Sequence, residues 1–336
     1  MTQKTTRSGP EPASLAPRPA LRALVGPTGV GKSDLALALA GRAGAEILAM
    51  DSMQVYRGLD VGTAKPTAKE RAACPHHLID LAAPGESFTV VDWLAAARAA
   101  EGAVRERGAR PLYVGGTAFY LKALVAGIFA GPEVDPQVRA GLEQRAEREG
   151  LAALHAELAR VDPRSAARIH PHDGKRLIRA LEVHAQTGRP LSAWQTTWGF
   201  HGAPADPAQA GDREPGPRRH LVGLTRPTAE LDRRIRARSA AMLDSGWPEE
   251  VRALRAAGWL SKTAAQALGY AEVLALVEGR LDRAACLERI ALRTRQFARR
   301  QRTWLRRFED LVWVDLGTSD DPDEHSDLVL RGLGWA

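Results

Sequence analysis

The sequence predicts an α/β fold, a parallel sheet flanked by helices, with a helical insertion. Three observations lead there. Short apolar runs alternate with helical patterns over the first 125 residues, the stretch from Asp135 to Gln186 is nearly continuous helix in pattern, and strand-like runs return at His220 and Leu311. Strands alternating with helices at this spacing require crossover connections, which join parallel neighbours. With 336 residues, 44% of them hydrophobic and 26% charged, the chain can bury one large core plus a subsidiary domain, and disorder throughout is excluded.

Each element follows from local pattern. Residues 1–19 hold four prolines and few apolar side chains, so they are expected to stay disordered as an N-terminal extension. Ala20–Val25 is a first strand, followed by a glycine-rich turn and a helix over Asp34–Ala43. Ala45–Met50 and Pro111–Val114 are further buried strands, with a helix at Val91–Arg107 between them and another at Ala118–Ala126. These elements make the first part of the core, 20–130, and the insertion spans 131–200. Residues 201–217 carry four prolines and three glycines, the composition of a solvated loop or disordered insert. The second part of the core, 218–316, opens with a strand at His220–Leu224, runs as helix to Phe308 and closes with a strand at Leu311–Leu316. Residues 317–336 are expected to form a tail.

Composition narrows the function classes. No window approaches the roughly 18 apolar residues that span a bilayer, and Met1–Pro19 lacks the apolar stretch of a signal peptide. A soluble, cytoplasmic protein with no membrane partner is expected. Cys74 and Cys286 are isolated, which excludes a disulfide framework and a zinc finger. The formal charge is +7, and 40 of the 47 basic residues are arginine, a residue suited to phosphate recognition.

The chemistry starts at Gly26-Pro27-Thr28-Gly29-Val30-Gly31-Lys32-Ser33, which fits G-x-x-x-x-G-K-[ST] between a strand and a helix. In that context the backbone N–H groups fold around an anion, the helix N-terminus adds positive potential, and Lys32 supplies a full charge. Ser33 is placed to ligate Mg²⁺, and a polyphosphate or pyrophosphate is the expected ligand. The fold is therefore expected to be P-loop NTPase-like. Asp51 ends the second strand beside this loop, where parallel sheets build their sites; it can hold Mg²⁺ through water or accept a proton. The third strand ends in Gly115-Gly116-Thr117, and no strand ends in the Asp-Glu pair of a motor ATPase, which disfavours hydrolysis coupled to motion. Arg234 and Arg238, four apart on a helix, can present both guanidinium groups to one anion.

From Leu24 to about Trp313 the sequence resembles the tRNA dimethylallyltransferases (isopentenyl-tRNA transferases) of the bacterial type. The resemblance is carried by the phosphate loop, Asp51-Ser52-Met53-Gln54-Val55-Tyr56, Gly62-Thr63-Ala64-Lys65-Pro66 and His76-His77-Leu78-Ile79-Asp80. Gly115-Gly116-Thr117, Asp173 through Arg176 to Val183, Gly269-Tyr270 and Arg300-Gln301-Arg302-Thr303-Trp304 complete it. It implies transfer of a dimethylallyl group from dimethylallyl diphosphate to N6 of adenosine 37, beside the tRNA anticodon, with the phosphate loop holding the diphosphate. Asp51 is then the general base, and Thr117 lies near the acceptor adenine. The segments implied to contact the tRNA anticodon stem-loop are Asp51, Ser52, Met53 and Gln54, then Lys175, Arg176, Leu177, Ile178 and Arg179, then Gln266, Ala267, Leu268, Gly269, Tyr270 and Ala271, with Arg139 and Thr117 as further positions.

The segment Arg283–Arg307 sets nine arginines against Glu288. Arg295, Arg299, Arg302 and Arg306 recur at helical spacing and could follow a phosphate backbone, while Ile290, Phe297 and Trp304 are expected to face the core. Nothing in the sequence points beyond a monomer. The zinc finger of eukaryotic members is not expected from two isolated cysteines. Two other enzyme readings share the loop, a small-molecule kinase and a prenyltransferase acting on free adenine nucleotides; a non-catalytic RNA-binding protein is a third.

Overall fold

The computed structural model describes residues 19–128, 132, 134–195, 218–258 and 267–335. The expectations for residues 1–18 and for the 201–217 loop lie outside them. The first part of the core runs β1 (Leu21–Val25), α1 (Lys32–Ala43), β2 (Ala45–Met50), α2 (Ala68–Ala73), β3 (His76–His77), α3 (Val90–Glu106), β4 (Arg110–Gly115) and α4 (Ala118–Ala126). The insertion holds α5 (Pro136–Glu149), α6 (Leu151–Val161), α7 (Pro163–Ala166), α8 (Gly174–Thr187) and α9 (Leu191–Trp194). The second part runs β5 (Arg219–Thr225), α10 (Thr228–Asp244), α11 (Trp247–Ala256), α12 (Tyr270–Val277), α13 (Arg283–Leu305), β6 (Leu311–Asp315) and α14 (Asp323–Gly332).

The six strands form one parallel sheet in the order β3-β2-β4-β1-β5-β6. From β1 the chain first builds toward one edge and later, with β5 and β6, toward the other. The carboxyl end of β1 therefore lies where the winding changes direction, and its neighbours there are Gly115 and Gly223. Both faces of the sheet are covered. Ala23 and Val25 join the core beneath α3, α4 and α13, whereas Leu24 joins the opposite core with Leu35 and Leu39 of α1, as the two-residue period of a strand requires.

Three features depart from expectation. β3 has only two residues and carries no apolar run; it is held by pairing Ile47 with His76 and Leu48 with His77. Residues 317–336 are more than a tail: Val329 and Leu330 of α14, and Leu333 just after it, are buried in the core that contains α1. The insertion is broken where Gly150 (φ 82°) closes α5 and where Asp162 caps α7 ahead of Pro163. Its own core gathers Leu142, Leu154, Leu158, Leu177 and Leu181.

Candidate active site

The phosphate loop is shaped by contacts that its sequence motif does not contain. Val30 is fully buried and packs with Leu231 and Ile235 of α10, anchoring the loop from below. Gly29 stands at φ 84°, and a Cβ there would lie 2.9 Å from Ile235 Cγ1; Gly31, at φ 104°, forms the N-cap of α1 with no side chain capping it. The first N–H groups of α1 are thus presented to an anion rather than to a capping side chain. Arg234 Nε donates to Gly29 O (3.0 Å) and Arg226 Nε to Val30 O (2.8 Å), so two guanidinium groups back the loop. Both also meet the exposed Asp320.

Lys32 Nζ donates to Pro27 O at 2.8 Å. Burial and, next, the neighbouring Arg238 depress its ammonium to a pKa of about 7, with Asp51 pulling the other way. Arg238 opens onto the cleft yet is surrounded by protein; that confinement lowers its guanidinium pKa, Asp51 and Asp34 oppose the shift, and Arg234 adds to it. The spacing of Arg234 and Arg238 on α10 does bring both to one place. They line a cleft of about 630 Å³ together with Gly31, Lys32, Ser33 and Asp51.

Asp51 leaves β2 in an Asx turn: its Oδ1 accepts from Met53 N (2.8 Å) and Gln54 N (3.3 Å). Thr117 precedes α4 without capping it; its hydroxyl accepts instead from Ser52 N at 3.3 Å. A second cavity of about 330 Å³ shares Asp51, Thr28, Arg238 and Phe297 with the first and adds Thr117, Met242 and Trp247. Asp51 therefore stands where a cation-lined cleft meets a more apolar one. Residues 62–67 line this junction. Gln54 Nε2 donates to Thr63 O and Ala64 O, both at 3.1 Å. Buried Lys65 donates to Tyr56 O, Asp60 Oδ1 and Asp80 Oδ1, each at 2.6 Å. Burial pushes the Asp80 carboxyl up, but Lys65 and Arg71 outweigh it and hold the group below its ordinary value. Glu250 of α11 accepts from the backbone N–H groups of residues 60, 61 and 62 at 2.6–3.2 Å.

The IPP transferase family model matches residues 54–308, and the isopentenyl transferase model matches residues 19–77. The tRNA dimethylallyltransferase of Halorhodospira halophila is 47% identical over 93% of this chain and 97% of its own length. The chain belongs to the IPP transferase family. Among solved structures, the tRNA isopentenylpyrophosphate transferase of Bacillus halodurans is similar, with a TM-score of 0.65, 34% identity and coverage of 94% of this chain and 97% of that one. A eukaryotic dimethylallyltransferase acting on tRNA shares the fold, with a TM-score of 0.75 at 24% identity over 94% of this chain and 78% of that one.

The implied tRNA positions divide. Ser52 and Met53 line the smaller cavity and Gln54 the larger, while Ala267 and Leu268 also border the smaller one. Lys175 and Arg176 are exposed at the start of α8, and Ile178 packs partly on the insertion core. Leu177 is a correction: it is 0% exposed in that core, so its side chain offers nothing to RNA. Arg139 and Arg179, both partly exposed, bond to the buried Glu182, at 2.7 and 2.9 Å, which gives them a packing role in the insertion. Tyr270 is buried against Trp247 and donates its hydroxyl to Glu250 Oε1 at 2.6 Å, which makes it a packing residue. Gly269 (φ 89°) lies against the same indole, and Ala271 is exposed. Gln266 lies outside the described residues.

On α13, Phe297 faces the cavities rather than the core, whereas Ile290 is buried and Trp304 packs partly on the core. Arg299 and Arg306 are exposed, and Arg295 and Arg302 half-buried. Sequence reasoning missed Arg226 and the bridging role of Gln301. Arg226 had a positional signal, because it immediately follows β5 at the sheet's carboxyl edge. Gln301 lies inside the Arg300–Trp304 motif, but nothing local to that motif points at the phosphate loop.

Proposed function

We propose that this chain is a tRNA dimethylallyltransferase that transfers the dimethylallyl group of dimethylallyl diphosphate to N6 of adenosine 37 and releases diphosphate. The single observation that carries the reading is that Lys32 and Asp51 line one cleft, in a chain whose relatives bear that activity in their names. An anion cradle and a proton acceptor are what the chemistry needs: the C1–O bond breaks toward the diphosphate, the N6–C1 bond forms, and the N6 proton leaves.

The geometry supports the following parts for the residues. The open N–H groups at the start of α1, Lys32, Arg234 and Arg238 hold the diphosphate and stabilise the charge that grows on it. Asp51 has Oδ1 occupied by two backbone donors, which fixes its plane and leaves Oδ2 to take the N6 proton. Thr117 borders the same junction and orients the acceptor base. The adenine enters from the anticodon stem-loop only if it is extruded from its stack, at a cost of a few kcal/mol.

Mg²⁺ fits the residues present. Ser33 puts a hydroxyl at the cleft, a hard oxygen suited to an ion otherwise held by phosphate oxygens and water. When bound, it would neutralise diphosphate charge. The test is incubation with Mg²⁺, labelled dimethylallyl diphosphate and unmodified tRNA bearing A36-A37, followed by nucleoside analysis. N6-dimethylallyladenosine is the expected product, formed without ATP; its absence refutes the assignment.

A further inference from the structure

A single side chain ties the phosphate loop to the acceptor side of the site. Gln301, on α13 and 8% exposed, accepts from Thr28 N–H through Oε1 and donates through Nε2 to Gly116 O, each at 2.9 Å. Only this orientation of the carboxamide satisfies both partners, because the reverse would set N–H against N–H and oxygen against oxygen. From Gly116 the chain passes to Thr117, whose hydroxyl accepts from Ser52 N, and Ser52 follows Asp51. A short run of bonds thus leads from the anion cradle to the proposed base.

The fit around the carboxamide is close. A Cβ on Gly116 would lie 2.3 Å from Gln301 Nε2 and 3.1 Å from Gly26 O. On Gly115 it would lie 2.1 Å from Met50 O. Three backbone segments, the ends of β1, β2 and β4, therefore meet with no room for side chains, and Gln301 fills the remaining gap with a donor and an acceptor on one planar group. No other neutral side chain of that length provides both. Glutamate lacks the donor and methionine lacks both.

We propose that Gln301 is a positioning residue for the transfer: it sets the distance between the diphosphate cradle and the Asp51–Thr117 pair. The inference rests on the proposed function for the roles of those two sides. Its consequence is specific. Losing the bridge leaves each binding site in being and moves one relative to the other, so binding survives while the chemical step slows.

The test uses the full chain and Gln301→Met, which keeps length and bulk without either hydrogen bond. Four quantities are measured: melting temperature, calorimetric affinity for inorganic pyrophosphate, tRNA affinity by filter binding, and the single-turnover rate of prenyl transfer. The expected result is both affinities within about threefold of wild type and a single-turnover rate lower by about 10²-fold, the cost of a roughly 1 Å misplacement. In a Thr117→Ala background the same change should cost much less, since the bridge acts through the strand end that bears Thr117. Should Gln301→Met fail to fold, Gln301→Leu, which is likewise neutral and lacks both hydrogen bonds, is read in the same way. An unchanged single-turnover rate overturns the proposal, as does a parallel loss of rate, both affinities and melting temperature, or failure of both variants to fold. If wild type itself makes no product, the functional reading falls instead; an active wild type with an equally active Gln301→Met removes this inference alone.

Discussion

Around the phosphate loop, Lys32, Arg226 and Arg234 spend hydrogen bonds on the carbonyls of Pro27, Val30 and Gly29. In the helical insertion, Arg139 and Arg179 converge on one carboxylate, Glu182, which is 0% exposed. The two regions use similar cations to opposite ends. A main-chain carbonyl fixes a cation's position without cancelling its charge, and Asp320, the carboxylate that Arg226 and Arg234 share, is exposed to water, so positive potential remains at the cleft for an incoming anion. A buried carboxylate cancels one of the two arginine charges and holds α5 to α8, so these arginines serve the packing of the insertion first. The depressed Lys32 ammonium, with a pKa of about 7, reflects first its burial and then the neighbouring Arg238, with Asp51 opposing both.

Four changes would break or sharpen this comparison. The largest effect is expected at the carboxylate in the cleft. Asp51→Ala should lower the single-turnover rate by about 10²–10⁴-fold, the usual worth of a general base, while tRNA affinity stays near wild type; an equal loss of both would mean that Asp51 serves binding. Next comes Glu182→Ala, which strands two cations in the insertion. Breaking a buried pair costs about 3–5 kcal/mol, partly relieved here by the partial exposure of both arginines, and denaturant unfolding followed by proteolysis should show the loss confined to the insertion. Equal destabilisation of the sheet would show the two regions to be one cooperative unit.

The pH dependence of the cleft is third. An anion beside Lys32 raises its pKa, so binding takes up a proton wherever the free enzyme has lost it. Below about pH 7 the ammonium is already present; above it, pyrophosphate affinity should fall by up to about tenfold per pH unit. Titration calorimetry in buffers of different ionisation enthalpy reads the proton directly, and Lys32→Met should abolish that part of the uptake. Uptake unchanged in the variant would place the titrating group elsewhere. The smallest effect separates two arginines of the insertion. Arg176→Ala, at an exposed residue paired with the neighbouring Asp173 across 2.8 Å, should weaken tRNA binding severalfold and reduce the salt slope by about 1. Arg139→Ala should leave that slope alone and lower stability. The reverse pattern would undo the assignment of Arg139 and Arg179 to structure.

Legibility in the sequence followed distance along the chain. The phosphate loop could be read because its donors, its lysine and the helix it caps lie within eight consecutive residues, and the strands could be read because buried parallel strands are continuous apolar runs. β3 left no such trace, because its two histidines are set by pairing with β2. The backing of the loop by Arg226 spans 196 residues and the Gln301 bridge spans 273 and 185, separations at which no local pattern survives. Arg179 and Glu182 are three apart on α8, so their pairing was visible as spacing. What spacing could not show was that Glu182 is buried, and burial decides whether such a pair is structural or solvated. Tyr270 was hidden in the same way, since its role depends on Trp247 and Glu250 of another helix.

The most direct test of the central claim is a structure of the chain with tRNA and a dimethylallyl thiodiphosphate that resists cleavage. The account predicts the diphosphate on the amides of residues 29–33 and beside Lys32, with C1 between it and the flipped adenine, and N6 within hydrogen-bond reach of Asp51. A diphosphate bound outside the loop, or an adenine whose N6 points away from Asp51, would contradict it.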